Sequence, residues 1–143
     1  MPSRRETILS ALFETLRTNL SASVRRDEAL PEQVPSEGLV VLRDGEPGEP
    51  EVLLSPVSYL WRHRAPLDVA VGGGIQAERD AALDALLIAI GSALEANRTL
   101  GGLVDWLEIG SPRFEIAPIE GAAPVKGAVV PVILHYETSS PLS

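Results

Sequence analysis

The terminal apolar segment, residues 127–138, constrains the fold of this chain more than any other feature. Alternate side chains of a strand point to opposite faces, and both alternating rows of this segment are apolar. The two rows are Val130, Val132, Leu134 and Tyr136, and Val129, Pro131, Ile133 and His135. We therefore expect other structure to cover both faces. Because proline cannot donate a hydrogen bond to a ladder, Pro131 predicts a position at a sheet edge or a bulge.

Two helices are predicted from apolar periodicity. The first begins with a capping box of Ser3 and Glu6, and its apolar residues recur at helical spacing from Ile8 to Leu20. The second runs from about Ala77 to Asn97. One flank of the second helix carries small residues, which allow close approach by a strand or another subunit. These residues are Ala89, Gly91, Ala93 and Ala96.

Short strands separated by Pro and Gly are predicted between the helices and after the second one. They span residues 23–26, 38–43, 51–54, 57–62, 67–71, 103–109, 113–117 and 128–138. Residues 44–50 combine Asp-Gly with two prolines, and we expect an exposed hairpin loop there. The pattern predicts one α+β domain over residues 1–143, in which an antiparallel sheet packs against two main helices.

Composition excludes several classes of function. The net charge of −8, with 11 Arg and one Lys scattered along 143 residues, argues against a general nucleic-acid binder. The chain has no cysteine and therefore no thiolate metal site or cysteine nucleophile. The longest apolar runs are shorter than the ~18 residues that a membrane span requires, so we expect no membrane partner.

The strongest enzyme-like motif is residues 71–77, which fit G-x-G-x-x-A between a predicted strand and a helix, as a dinucleotide loop does. A small nucleotide-binding enzyme is therefore an alternative. Against it, hairpin-like strands precede the loop, whereas a nucleotide-binding half needs strands that alternate with crossover helices. His63 and His135 have no second ligand at metal spacing. We predict no enzyme, no catalytic residue, no cofactor and no metal.

Candidate interface residues fall into three groups. Trp61, Arg62 and Arg64 combine an aromatic anchor with two positive charges, and tryptophan is enriched at interface centres. Val129 and Ile133 belong to the second apolar row of the terminal segment. The loop at residues 44–50 supplies three carboxylates that could face a partner. These are Asp44, Glu46 and Glu49.

The order of elements, the segment 95–104 (EANRTLGGLV) and the terminal pattern 132–138 (VILHYET) together resemble the phage tail terminator family. Members occur in siphovirus tails and in phage-like gene transfer agents. The resemblance implies an α+β subunit of a ring, hexameric by expectation, that stops tail-tube polymerisation at the head-proximal end of the tail.

The same resemblance implies partners and a location. The partners are further copies of the chain, the tail tube protein and the head-tail connector or neck protein, and DNA passes through the lumen without specific binding. The location is the virion tail, assembled in the cytoplasm of a bacterial host. A different head-tail completion protein of the neck remains an alternative.

Overall fold

A computed structural model of the chain describes residues 1–31, 33–117 and 124–143. It contains two helices and seven strands. In chain order these are α1 (Arg4–Asn19), β1 (Ser23–Arg26), β2 (Leu39–Leu42), β3 (Glu51–Leu53), β4 (Ser58–Gly72), α2 (Gln76–Glu95), β5 (Trp106–Ile109), β6 (Arg113–Ala117) and β7 (Val125–Thr138).

The strands form one sheet in the order β1-β2-β4-β7-β5, with β3 also paired to β4 and β6 also paired to β7. All neighbouring pairs are antiparallel except β1 and β2, which are parallel. The two long strands β4 and β7 form the centre, paired from Tyr59↔Thr138 to Gly72↔Val125. The predicted α+β class, with two helices on a mostly antiparallel sheet, is confirmed.

Helix α1 starts as the sequence predicts, because the Ser3 hydroxyl accepts a hydrogen bond from the Glu6 backbone amide. The reciprocal half of the capping box is replaced: the Glu6 carboxylate accepts from Ser10 and from Arg26. The apolar face of α1 is buried against the sheet through Ile8, Leu9, Leu12 and Leu16. Each fully buried side chain of this size stabilises the fold by about 1.5–3 kcal/mol.

Helix α2 carries a narrower buried stripe, formed by Leu83, Ile90, Ala93 and Leu94. Of the four small residues predicted to allow close approach, Ala93 is buried, Ala89 and Gly91 are half-buried, and only Ala96 is exposed. Ala89 and Ala93 therefore pack within the subunit, whereas the space beside Gly91 is open. Neither helix in the described part of the chain is long and apolar enough to cross a membrane.

Both helices pack on the same face of the sheet. The core residues of the central strands are the odd-numbered residues of β4 and the even-numbered residues of β7, as strand alternation requires. They are Trp61, Ala65, Leu67, Val69 and Val71 on β4, and Ala128, Val130, Val132, Leu134 and Tyr136 on β7. One alternating row of the terminal segment is thus covered by the helices.

Two strand predictions were wrong, and both errors involve proline. Residues 57–62 and 67–71 form the single strand β4, which runs through Pro66. The terminal strand β7 is not at an edge, because β4 lies on one side and β5 and β6 lie end to end on the other. Pro131 lies on β7 between the segment paired with β5 and the segment paired with β6. Its missing N–H therefore interrupts no ladder hydrogen bond to either strand.

The loop at residues 44–50 is not a hairpin loop. Strands β2 and β3 both pair with the same edge of β4 and do not turn back on each other. The linker between them follows β4, held by two backbone hydrogen bonds between Glu46 and Arg64 of 2.9 and 3.0 Å. The hairpin connects β3 and β4 instead, through residues 54–57.

Candidate functional site

The candidate site is the face of the sheet opposite the helices, here called the outer face. It carries the second alternating row of β7 and the even-numbered residues of β4, flanked by β5. Four of the predicted interface residues, Arg62, Arg64, Val129 and Ile133, meet on it, and Arg64 lies directly opposite Ile133. Both arginines are exposed, whereas Val129 and Ile133 are half-buried. The outer face therefore combines an apolar centre with positive charge.

An aromatic pair extends this face onto β5. The rings of Trp106 and His135 stack with centroids 4.7 Å apart and planes 4° from parallel. His135 Nε2 lies 3.0 Å from a Glu108 carboxylate oxygen, and Arg62 lies 3.5 Å from the same oxygen. The hydrogen bond from His135 and the charge of Arg62 lower the pKa of Glu108 below 4.5. These contacts hold the Trp106 ring, which is 43% exposed, in one orientation.

A groove of about 530 Å³ runs from this pair toward β3. Its rim carries the carboxylates of Glu49, Glu51 and Asp105, all three on exposed residues. Glu49, one of the predicted contact residues, is thus close to the outer face. The groove is wide, open and polar at its rim, which suits a contact with another protein surface better than an enclosed small molecule.

The structure corrects the prediction for Trp61, which lies in the core. Its side chain is on the helix-covered face of β4, and its indole N–H donates to Thr138 at 2.9 Å. Trp61 is therefore a packing residue in this subunit. Trp106 is the exposed tryptophan. The enrichment of tryptophan at interface centres applies to both residues, but only Trp61 was predicted as a contact residue. Alternation within residues 57–62 already places Trp61 on the same face as Val57 and Tyr59, and β4 continues this row to the buried Ala65 and Leu67.

Asp44 makes its main side-chain contacts within the subunit, although its side chain stays 44% exposed. The Arg26 guanidinium donates to both Asp44 carboxylate oxygens, at 2.8 and 3.1 Å, and to both Glu6 oxygens, at 2.8 Å. This pairing lowers the pKa of Glu6. One guanidinium thus joins α1, β1 and the β2–β3 linker, and Asp44 has a structural role. Glu46 holds the linker through its backbone and leaves its side chain exposed.

His63 is buried on the helix side of β4. Nε2 contacts the Asp44 carbonyl oxygen and Nδ1 lies 2.9 Å from the Tyr136 hydroxyl. Since a carbonyl only accepts, Nε2 carries the proton and Nδ1 accepts from Tyr136. Burial lowers the pKa of His63 and raises the pKa of Tyr136 to about 12. His63 is thus a neutral structural bridge.

The glycine motif connects β4 to α2 without parallel neighbours. Strand β4 is antiparallel to β2 and β7, whereas a nucleotide-binding half uses parallel strands. Gly73 and Gly74 have positive φ values of 78° and 59°, and their carbonyl oxygens accept from Arg79. In residues 1–31, 33–117 and 124–143, no group of three or more His, Asp or Glu side chains is arranged to hold a metal ion.

Comparison with known proteins leaves the geometry of the outer face as the main guide to function. No protein-family model matches the chain, and no curated protein has significant similarity to it.

Proposed function

We propose that this chain is the subunit of a ring, hexameric by expectation, that terminates the tail tube of a phage or phage-like gene transfer agent. The ring joins the tail to the head connector at the head-proximal end of the virion tail. The observation that carries the proposal is the outer face, which carries the half-buried Val129 and Ile133, the exposed Arg64 directly opposite Ile133, and the Trp106 ring stacked on His135.

This composition is that of a protein interface. Interface cores are enriched in aromatic residues and arginine and are surrounded by a polar rim. Trp106 is already fixed by His135, so little side-chain entropy is lost when a partner covers it. At this end, the Arg62 guanidinium and the His135 ring both contact the Glu108 carboxylate. A partner that covers the apolar centre therefore buries Arg62 and Glu108 as a pair, and an acidic group of that partner can pair with Arg64.

A closed ring requires two different surfaces on each subunit, since every contact is heterologous. The outer face supplies one of them. The small-residue flank of α2 is a weak candidate for the other, because three of its four residues are buried or half-buried. The apolar end of the β3–β4 hairpin is a better one, because its large apolar side chains are exposed.

Net acidity fits a conduit for DNA. A net charge of −8 repels the phosphate backbone, so DNA can pass the lumen without binding. The partners in this proposal are further copies of the chain, the tail tube protein and the connector or neck protein.

The test is assembly with the tail tube protein encoded in the same genome. Tube subunits polymerising with this protein should give tubes that stop growing and carry a ring at one end in negative-stain electron microscopy. A protein that binds connectors and leaves tube growth unchanged would be a neck component instead. Tubes that grow freely, with neither rings nor connector binding, would refute a role in the tail.

A further inference from the structure

The β3–β4 hairpin ends in a cluster of exposed apolar side chains. Leu54 is 76% exposed, and Val52, Leu53 and Val57 are each more than two-fifths exposed. We call residues 52–57 the hairpin tip. Four large apolar side chains are thus exposed within six consecutive residues, and exposed apolar surface of this kind marks sites of interaction with other proteins.

A second apolar feature lies on the outer face at the opposite end of β4. It is a furrow of about 140 Å³, with the small residues Ala70 and Gly127 and the side chain of Val129 along its floor. Leu30, which is 58% exposed, and Glu115 form its walls. A cavity near 150 Å³ holds a ligand the size of benzene. The furrow therefore has room for about one aliphatic side chain.

The charges around the two features are complementary. Residues 47–60 contain no Lys or Arg, and Glu49 and Glu51 stand at the base of the hairpin. Beside the furrow, Asp68 is paired with Arg43 at 2.8 Å and Glu115 with Arg113 at 3.1 Å. The Arg113 side chain is 76% exposed. An acidic hairpin can thus approach a rim where both carboxylates are paired with arginines and where Arg113 is the more exposed member of its pair.

The hairpin tip cannot reach the furrow of its own subunit. Ten residue-to-residue steps of extended strand, from Ser58 to Asp68, separate them along β4, which corresponds to roughly 33 Å at about 3.3 Å per step. The strand is held by β7 along this whole length. The tip and the furrow therefore meet only between molecules.

We propose that the hairpin tip of one copy of this chain inserts Leu54 into the furrow of the next copy, between Leu30 and Val129. The contact joins two different surfaces head to tail, so it repeats around a ring. It specifies the subunit interface of the ring under Proposed function and rests on that proposal for its biological role. The Glu51 carboxylate then approaches Arg113 of the neighbouring copy.

Cysteine cross-linking tests this contact, because the chain has no cysteine of its own. Leu30→Cys and Leu54→Cys replace exposed side chains, so both variants should fold. Under mild oxidation the double variant should give a ladder of covalent multimers up to the size of the ring. Each single variant should form no covalent multimers, and an equimolar mixture of the two should form covalent dimers only.

A double variant that stays monomeric at high concentration and also on capped tubes would overturn the contact. So would efficient dimers of Leu54→Cys alone, which would mean that tips meet tips. Multimers in a protein that leaves tube growth unchanged would refute the tail function and keep the contact. Capped tubes without cross-links would refute the contact and keep the tail function.

Discussion

Pro66 and Pro131 lie directly opposite each other on the two central strands. The carbonyl oxygen of Pro66 accepts from Arg43, and that of Pro131 accepts from Gly110, so each residue directs its backbone groups away from the other. The two prolines thus occupy a position of the antiparallel ladder where no bond crosses between β4 and β7. Two residues that lack an N–H fit the sheet centre because neither needs to donate there.

This arrangement predicts an energetic coupling between Gly110 and Pro131. A Cβ at Gly110 would lie 2.5 Å from Pro131 Cγ, so Gly110→Ala should destabilise the fold by about 1–3 kcal/mol, as overpacking does. Pro131→Ala removes that Cγ atom. In a urea-unfolding double-mutant cycle, the cost of Gly110→Ala should be at least about 1 kcal/mol smaller in the Pro131→Ala background.

Gly91→Ala is the matched control for that cycle. Gly91 is inside α2, and a Cβ there would have no heavy atom within 4 Å. Alanine should therefore stabilise the helix by about 0.5–1 kcal/mol. Additive effects of Gly110→Ala and Pro131→Ala would show that the two residues do not crowd each other.

The double pairing of Arg26 should matter more than an ordinary surface ion pair. Arg26→Ala leaves the carboxylates of Glu6 and Asp44 without their shared partner. Because both carboxylates remain partly exposed, the expected loss of unfolding free energy is about 1–2 kcal/mol, well below that of a buried pair. The control is Arg17→Ala, whose pair with Glu14 is more exposed and should contribute little.

Arg26→Lys adds a geometric test in the same chemical-unfolding measurement. Lysine keeps the charge but cannot bind two carboxylates with a planar fork, so it should recover only part of the loss. A lysine variant as stable as the parent protein would mean that charge alone, without the bidentate geometry, explains the role of Arg26.

Burial of His63 predicts a pH dependence of stability. The pKa of His63 lies below the ordinary 6.5 in the folded protein. Below pH 6.5, His63 is therefore protonated to a greater extent in the unfolded chain than in the folded chain. Stability contributed by neutral His63 is complete above pH 6.5 and is lost as the pH falls toward the folded pKa, with a slope of at most about 1.4 kcal/mol per pH unit. The pKa values of Glu6 and Glu108 are lowered from 4.5, so these two residues change the pH dependence of stability only below pH 4.5.

Equilibrium unfolding from pH 7 to pH 5 isolates this effect, with His63→Gln as the reference. Glutamine keeps a donor for the Asp44 carbonyl oxygen but does not titrate, so its stability should fall less over this range. Parallel curves for the two proteins would mean that His63 is not the titrating group.

Charge reversal tests the outer face as a subunit contact. Arg62→Glu/Arg64→Glu should reduce self-association at least tenfold in analytical ultracentrifugation, because the reversed charges would repel the acidic groups of a partner surface that complements this face. Arg17→Glu/Arg98→Glu makes the same change of charge at two exposed arginines on or next to the helices, away from the outer face, and is the control. Unchanged assembly of the Arg62 and Arg64 variant would remove these residues from the interface.

Periodicity predicted both helices because their apolar residues recur every three or four positions, a local property of the chain. The proline rule misplaced β7. A proline is excluded from a central strand only where its nitrogen faces a paired neighbouring strand, and for Pro131 that depends on where β5 ends. The same limit divided β4 at Pro66. That division obscured the fact that Trp61 and Leu67 lie on the same face of the sheet, which identifies Trp61 as the buried tryptophan.

Side-chain partners were harder to predict than strands. Asp44 and Glu6 are 38 residues apart and meet only because β1 places Arg26 between them. The stacking of Trp106 on His135 depends on the register of β5 and β7 in the same way. By contrast, Ile133 was predicted from the alternation of the terminal segment and Arg64 from its charge near Trp61. The two residues do share a face, because β4 and β7 pair with Arg64 opposite Ile133.

Tail length in particles from the producing cell tests the ring proposal most directly. With the gene for this chain deleted, electron microscopy should show tails without heads and with a broad distribution of lengths, and the wild-type gene should restore uniform tails joined to heads. Tails of normal length, joined to heads in the absence of this protein, would contradict the proposal.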